Sequence, residues 1–206
     1  MSLMENWKEL AKLQEDVRLD IGFMVRETFY YGPENGFSPE QYESMRVPIY
    51  FPEMKKSGNF VLYSDVVGRE SELKCHYLDV AGKCKQYKKD ITASTHFWNR
   101  PVIHNTDFVI SFPWCDKFRE GKNILESLAT TIEGEVFWDR DQGWELEIVG
   151  KDGLLFAREW DPDYEEIHCQ VKFDWVGIRQ QALELLPNVS NLIDELTRAL
   201  GKDYWT

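Results

Sequence analysis

"EVFWDRDQGWELEIVGKDGLLFAREWDPDYEEIHCQVKF", Glu135 to Phe173, reads as four short strands rich in β-branched and aromatic residues. Gly- and Pro-containing turns separate them, so consecutive strands pair as a meander. The first hairpin sets the pattern. With Asp141-Gln142-Gly143 as a three-residue loop and Gly143 left-handed, Trp138 pairs with Leu146 and Val136 with Ile148. Val136, Trp138, Trp144, Leu146 and Ile148 then share one face, which favours both tryptophans as core. Glu135, Asp139, Glu145 and Glu147 take the other face. The fold class expected from this stretch is α+β. A mainly antiparallel sheet, with its meander over about 134–173, is covered by helices, and two helices end the chain.

The same carboxylates invite metal readings, which the spacing does not favour. Asp139 and Asp141 form a D-x-D pair, but two carboxylates alone are too few for a cation. Asp161, Asp163 and Glu165 alternate as in a calcium loop. Such a loop needs glycine at its sixth position and glutamate at its twelfth, and this chain has Glu166 and Lys172. His168 and Cys169 are adjacent on a strand, so their side chains face opposite sides, with Cys169 expected in the core. Cys75-His76 has the same defect if its segment is a strand. Cys84 and Cys115 lack a C-x-x-C partner. No nucleophile elbow, phosphate loop, dinucleotide fingerprint or zincin helix is present. The expectation is no metal and no cofactor.

Outward from the meander, Trp7, Leu10 and Ala11 suggest an amphipathic helix over about 4–15. Val17 to Arg26 alternates as a half-buried strand. Ser38-Pro39-Glu40-Gln41 is a capping box that starts a short helix. "NFVLYSDVV", "LKCHYLDV" and "NTDFVISF" are strand candidates, and "FREGKNILESLATTIEG" is a helix. A helix capped by Asp174 should stop near Pro187, and a second should run from about Asn188 or Ser190 to Gly201. Composition breaks nowhere, so residues 4–206 are expected as one domain, with Met1-Ser2-Leu3 a cloning remnant.

The chain carries 36 acidic and 24 basic side chains, a net charge of −12. That disfavours nucleic acid and anionic membranes as partners. No apolar run approaches the length of a membrane helix and no export signal is visible, so the expected compartment is the cytoplasm. Between Thr131 and Gln170 twelve acids face three bases, whereas Lys83, Lys85, Lys88 and Lys89 cluster elsewhere. The functional expectation is a non-enzymatic domain whose acidic sheet face binds a more basic protein. Asp139, Glu145, Glu147, Asp161, Asp163, Glu165 and Glu166 are the candidate binding residues. By analogy of size and acidity, an immunity or antitoxin-like protein is one concrete form. The alternative is a hydrolase or transferase with a pocket near His96 and His104.

Overall fold

The computed structural model describes residues 6–33, 38–141 and 143–206, apart from the Ala93 side chain. In chain order the elements are α1 (Trp7–Leu10), β1 (Lys12–Leu13), β2 (Arg18–Met24), β3 (Thr28–Tyr30), α2 (Pro39–Ser44) and β4 (Arg46–Pro48). β5 (Lys56–Ser57), β6 (Phe60–Leu62), α3 (Tyr63–Val66) and α4 (Glu70–Gln86) follow. Two 3-10 turns lead into β7 (Asn99–His104), β8 (Val109–Ser111) and α5 (Phe118–Thr130). The last third is β9 (Gly134–Asp141), β10 (Trp144–Lys151), β11 (Leu154–Asp161), β12 (Glu166–Asp174) and α6 (Trp175–Leu200). The fold is α+β with antiparallel pairing dominant.

Two compact units form, each from separate stretches of chain. The first takes the described residues through Ile21 together with Arg100–Asn188; the second takes those of Gly22–Asn99 together with Val189–Thr206. In the first, β9 to β12 make the expected meander, and β1 adds a parallel edge strand by pairing Lys12 with Val171. Trp7 of α1 packs edge-on against Phe156, with ring centroids 6.4 Å apart. The expected helix over 4–15 is therefore only Trp7–Leu10, and residues 4 and 5 lie outside the described part. Extending Lys12 and Leu13 lets their backbone complete the β12 edge, which a helix could not do. Gln181 of α6 holds the start of β2: its Oε1 accepts from Leu19 N (2.9 Å) and its Nε2 donates to Val17 O (3.0 Å).

In the second unit, β6 pairs antiparallel with Gly22–Met24, and β5 pairs with β6. β2 has neighbours on both sides and is buried on both faces, not half-buried as its alternation suggested. "LKCHYLDV" is not a strand. It lies inside α4, where Leu73, Tyr77, Val80 and Cys84 recur at helical spacing and are buried. Glu70 and Glu72 at its start and Lys83 and Lys85 at its end complement the helix dipole. "NFVLYSDVV" divides into β6 and α3. The Ser38 capping box is present, with Ser38 N donating to Gln41 Oε1 at 2.9 Å. Trp205 is fully buried, edge-on to both Tyr77 (5.0 Å) and Phe97 (5.3 Å).

The two expected C-terminal helices are one. α6 runs from Trp175 through Pro187 to Leu200. Asp174 caps it, accepting from Gly177 N at 2.6 Å, and Gly201 closes it with φ 76°. Pro187 removes one backbone donor, yet Leu185 before it and Val189, Leu192, Ile193 and Leu196 after it are all buried. That apolar stripe is continuous through the proline and outweighs the local penalty of about 3 kcal/mol. Because Pro187 is itself exposed, Pro187→Ala should restore the helix bond at no packing cost. We expect a gain of about 1–3 kcal/mol in chemical denaturation; an unchanged or lower midpoint would show that the ring is needed where it stands.

Candidate functional site

The β9–β10 pairing differs from the expected one by a single residue. Trp144 lies opposite Asp141, Leu146 opposite Asp139 and Glu147 opposite Trp138. The connection is one residue shorter than the expected loop; Gly143 is left-handed (φ 85°), and Gln142 lies outside the described residues. Directly opposed residues share a face, so the slip moves Trp138 to the side of Glu145 and Glu147 and moves Asp139 to the side of Leu146. A bulge between Ile148 and Val149 then resets the pattern, and Val136 is buried as expected. Trp138 is thus a surface residue, 52% exposed, whose Nε1 donates to Glu145 Oε1 at 2.8 Å. Trp144 is half-buried, donates to Glu159 Oε1 at 2.7 Å and packs 4.9 Å from the Trp114 ring.

A second bulge, between Glu159 and Trp160, sets Ile167 opposite Trp160 and turns it outward. Ile167 therefore does not share the buried side with Val171 and Phe173. Cys169 is half-buried opposite Glu159, and its thiol is pushed up to about 11, first by burial and then by Glu159. Burial first, and then acidic neighbours including Glu120 and Asp139, likewise hold Cys115 at about 11. Both thiols are protonated and poor nucleophiles at neutral pH. Among the described residues no group of three or more His, Cys, Asp or Glu is placed to hold a metal ion.

The acidic candidates divide by position. Glu145 and Glu147 lie on the outer sheet face with Trp138, Trp160 and Arg158. Arg158 is only 7% exposed and stacks over the Trp160 ring at 4.2 Å; burial lowers its pKa, against the opposing pull of Glu147 and Glu145. Burial holds the Glu147 carboxyl above its usual range. Asp161, Asp163, Glu165 and Glu166 cluster at the β11–β12 turn, where Asp161 Oδ1 accepts from Asp163 N and Tyr164 N. Arg140 reaches Asp163 at 3.4 Å and so ties this turn to β9. Tyr164 at its tip is 82% exposed. Asp139 alone leaves the set, because it faces the Leu146 side.

His96 and His104 belong to different units: His104 ends the β7 segment of the first, and His96 sits in a 3-10 turn of the second. His96 lines a cavity with Arg26, Phe29 and Asp90, and its ring stacks on Phe29 at 5.8 Å. Burial, then Arg26, then His76 lower its pKa to about 3, so it is neutral at physiological pH. His76, on the buried face of α4, is also lowered by burial; its Nδ1 lies 2.6 Å from the Tyr50 carbonyl and donates to it. Of this cavity the sequence singled out His96 alone, because the other walls come from β3, β4, the end of α4 and the 3-10 turns.

Comparison with protein-family models, with curated proteins and with solved structures finds no match to this chain. Among the described residues, no helix is long and apolar enough to cross a membrane.

The histidine burial has a pH signature. An unfolded chain protonates His96 below about pH 6.5 while the folded one resists down to about pH 3, so the unfolded state binds more protons in that window. Stability should therefore fall as pH drops from 7.5 to 5.5, before carboxylates titrate. His96→Phe keeps the stack on Phe29 and should flatten that slope in urea denaturation. Identical slopes would contradict a buried neutral His96.

Proposed function

We propose that this protein is a binding domain whose outer sheet face docks a Lys/Arg-rich segment of a partner protein. The observation that supports it most is Trp138, an exposed indole held by Glu145 within an acidic field. Across the strands, Glu145 lies opposite the buried Trp160, and Trp160 opposite the exposed Ile167, so Trp138 and Ile167 are the apolar groups this face offers beside Glu145 and Glu147. The acidic turn Asp161–Glu166 borders it, with Tyr164 projecting. Large apolar anchors inside a charged rim are what protein interfaces use, and exposed indoles also take up cationic side chains. The acids steer a basic partner and the aromatics hold it. An immunity or antitoxin-like role is one form of this function.

A second reading, a hydrolase or transferase near His96 and His104, draws on the cavity at His96 alone. His104 does not line it, and His96, lowered to about 3, is not poised to exchange a proton near neutral pH.

A synthetic Lys/Arg-rich peptide, titrated by calorimetry at low and high salt, tests the binding reading. Glu145→Lys with Glu166→Lys should weaken binding about tenfold, or ~1.4 kcal/mol, and reduce its salt dependence. Trp138→Ala should weaken it without changing the salt slope. Glu184→Lys with Glu195→Lys, the same change of net charge on α6, should bind as the unaltered protein does. Equal losses in both charge variants would mean that only net charge matters and would sink the assignment of this face.

A further inference from the structure

The cavity at His96 inverts the sign of the molecule. It lies wholly within the second unit and has a volume of about 350 Å³. Its walls carry three cations, Arg26, Arg46 and Lys89, against one anion, Asp90, in a chain whose net charge is −12. Asp90 does not serve as their counterion. Its Oδ1 accepts from Thr92 N (2.9 Å) and Thr92 Oγ1 (2.7 Å), which caps the following turn.

Each cation has been placed, and among the described residues only Arg46 meets a carboxylate. Lys89 donates to the Gly32 carbonyl and lies 6.0 Å from the centre of the Tyr30 ring. Arg46 meets Glu43 at 3.1 Å and donates to Thr28 Oγ1 at 3.3 Å. Arg26 is half-buried and makes no ion pair among the described residues. Burial, and then the like charge of Arg46, lower the guanidinium's pKa. The same two arginines and Thr28 also line an adjoining cavity of about 380 Å³ with Glu27, Lys56 and Asn59, where Glu27 pairs with Lys56 at 2.8 Å. A half-buried guanidinium beside a like charge is stabilised when an anion joins it. His96, 6% exposed, adds a ring nitrogen, Nδ1, with no partner among the described residues.

We propose that this cavity binds a phosphate group, either free or as the monoester of a small planar metabolite. The guanidinium groups of Arg26 and Arg46 and the ammonium of Lys89 favour an anion, and a phosphate brings more oxygens to these donors than a carboxylate does. Guanidinium groups grip phosphate oxygens in pairs, and the hydroxyls of Thr28 and Thr95 supply further donors. Phe29 and Tyr30 give the walls planar faces against which an ester's ring would lie. The volume is that of a small-molecule site.

Calorimetry and thermal unfolding with sodium phosphate, adenosine monophosphate and adenosine, each against chloride of matched ionic strength, test the proposal. Phosphate or its ester should bind saturably and raise the unfolding temperature, and adenosine should not. Tighter binding of the monophosphate assigns the site to esters; equal binding of the two assigns it to the free anion. Arg26→Gln should lose about tenfold in affinity while its unfolding temperature without phosphate stays level or rises, because a buried like charge has gone. A merely structural Arg26 would instead lower that temperature. Arg46→Gln, at a more exposed position, repeats the affinity test should Arg26→Gln fail to fold. No saturable binding of either phosphate compound, or binding undiminished in both variants, would overturn the proposal.

Discussion

Leu146 lies opposite Asp139, and much of the first unit follows from that single pairing. A strand has a side-chain period of two, so the pairing decides which of every two neighbours on β9 and β10 enters the core. It puts Leu146 and Ile148 inward beside Phe137, whose ring meets Phe112 at 5.0 Å. It also puts an indole and two carboxylates outward together. Kept along the whole hairpin, that register would expose Val136. The bulge at Ile148 and Val149 prevents this by adding one unpaired residue. The second bulge, at Glu159 and Trp160, turns Ile167 outward while Val171 and Phe173 stay inside. Burying one face of a twisted sheet thus costs two irregularities, and both border the surface to which we assign function.

Charge is handled differently in the two units. On the outer sheet face Glu145 and Glu147 are half-buried, and Arg158, which is buried, lies over an indole with both near by. Asp163, Glu165 and Glu166 of the bordering turn are exposed and leave their field available for a partner. In the second unit the cations line a concave wall, and the carboxylate beside them is engaged in a turn. Burial first, and then Arg26, keep His96 neutral there. Net charge, summed over the chain, conceals this contrast completely.

The parts legible in the sequence were those decided locally. The Ser38 capping box, the Asp174 cap, the Gly201 stop, α5 and the four-strand order of the meander all rest on residues a few positions apart. The failures share a cause in distant partners. Lys12 and Leu13 are extended because β12 offers an edge, and α6 passes Pro187 because its apolar stripe is buried on both sides of the proline. "LKCHYLDV" is rich enough in apolar residues to suit a strand, and only the longer span from Leu73 to Cys84 shows the helical period. Of the site residues, the turn acids Asp161 to Glu166 and the outward Glu145 and Glu147 were recoverable from alternation. Trp138 and Asp139 exchanged sides through a slip of one residue. Of the cavity only His96 was singled out, since the remaining walls are separated in sequence and meet only when the second unit folds.

Each unit closes on residues from the far end of the chain. Gln181 grips the backbone of Val17 and Leu19, with a sequence separation of 164 residues at Val17, and Trp205 fills the space between Tyr77 and Phe97. On a ribosome, neither core can be sealed until Gln181 and Trp205 have emerged. Until then β2, which is buried on both faces, stands without its full set of neighbours. Such a nascent chain is exposed to wrong pairings while those residues are awaited. Its production in cells should therefore depend on chaperone capacity and translation speed more than the stability of the finished fold would suggest.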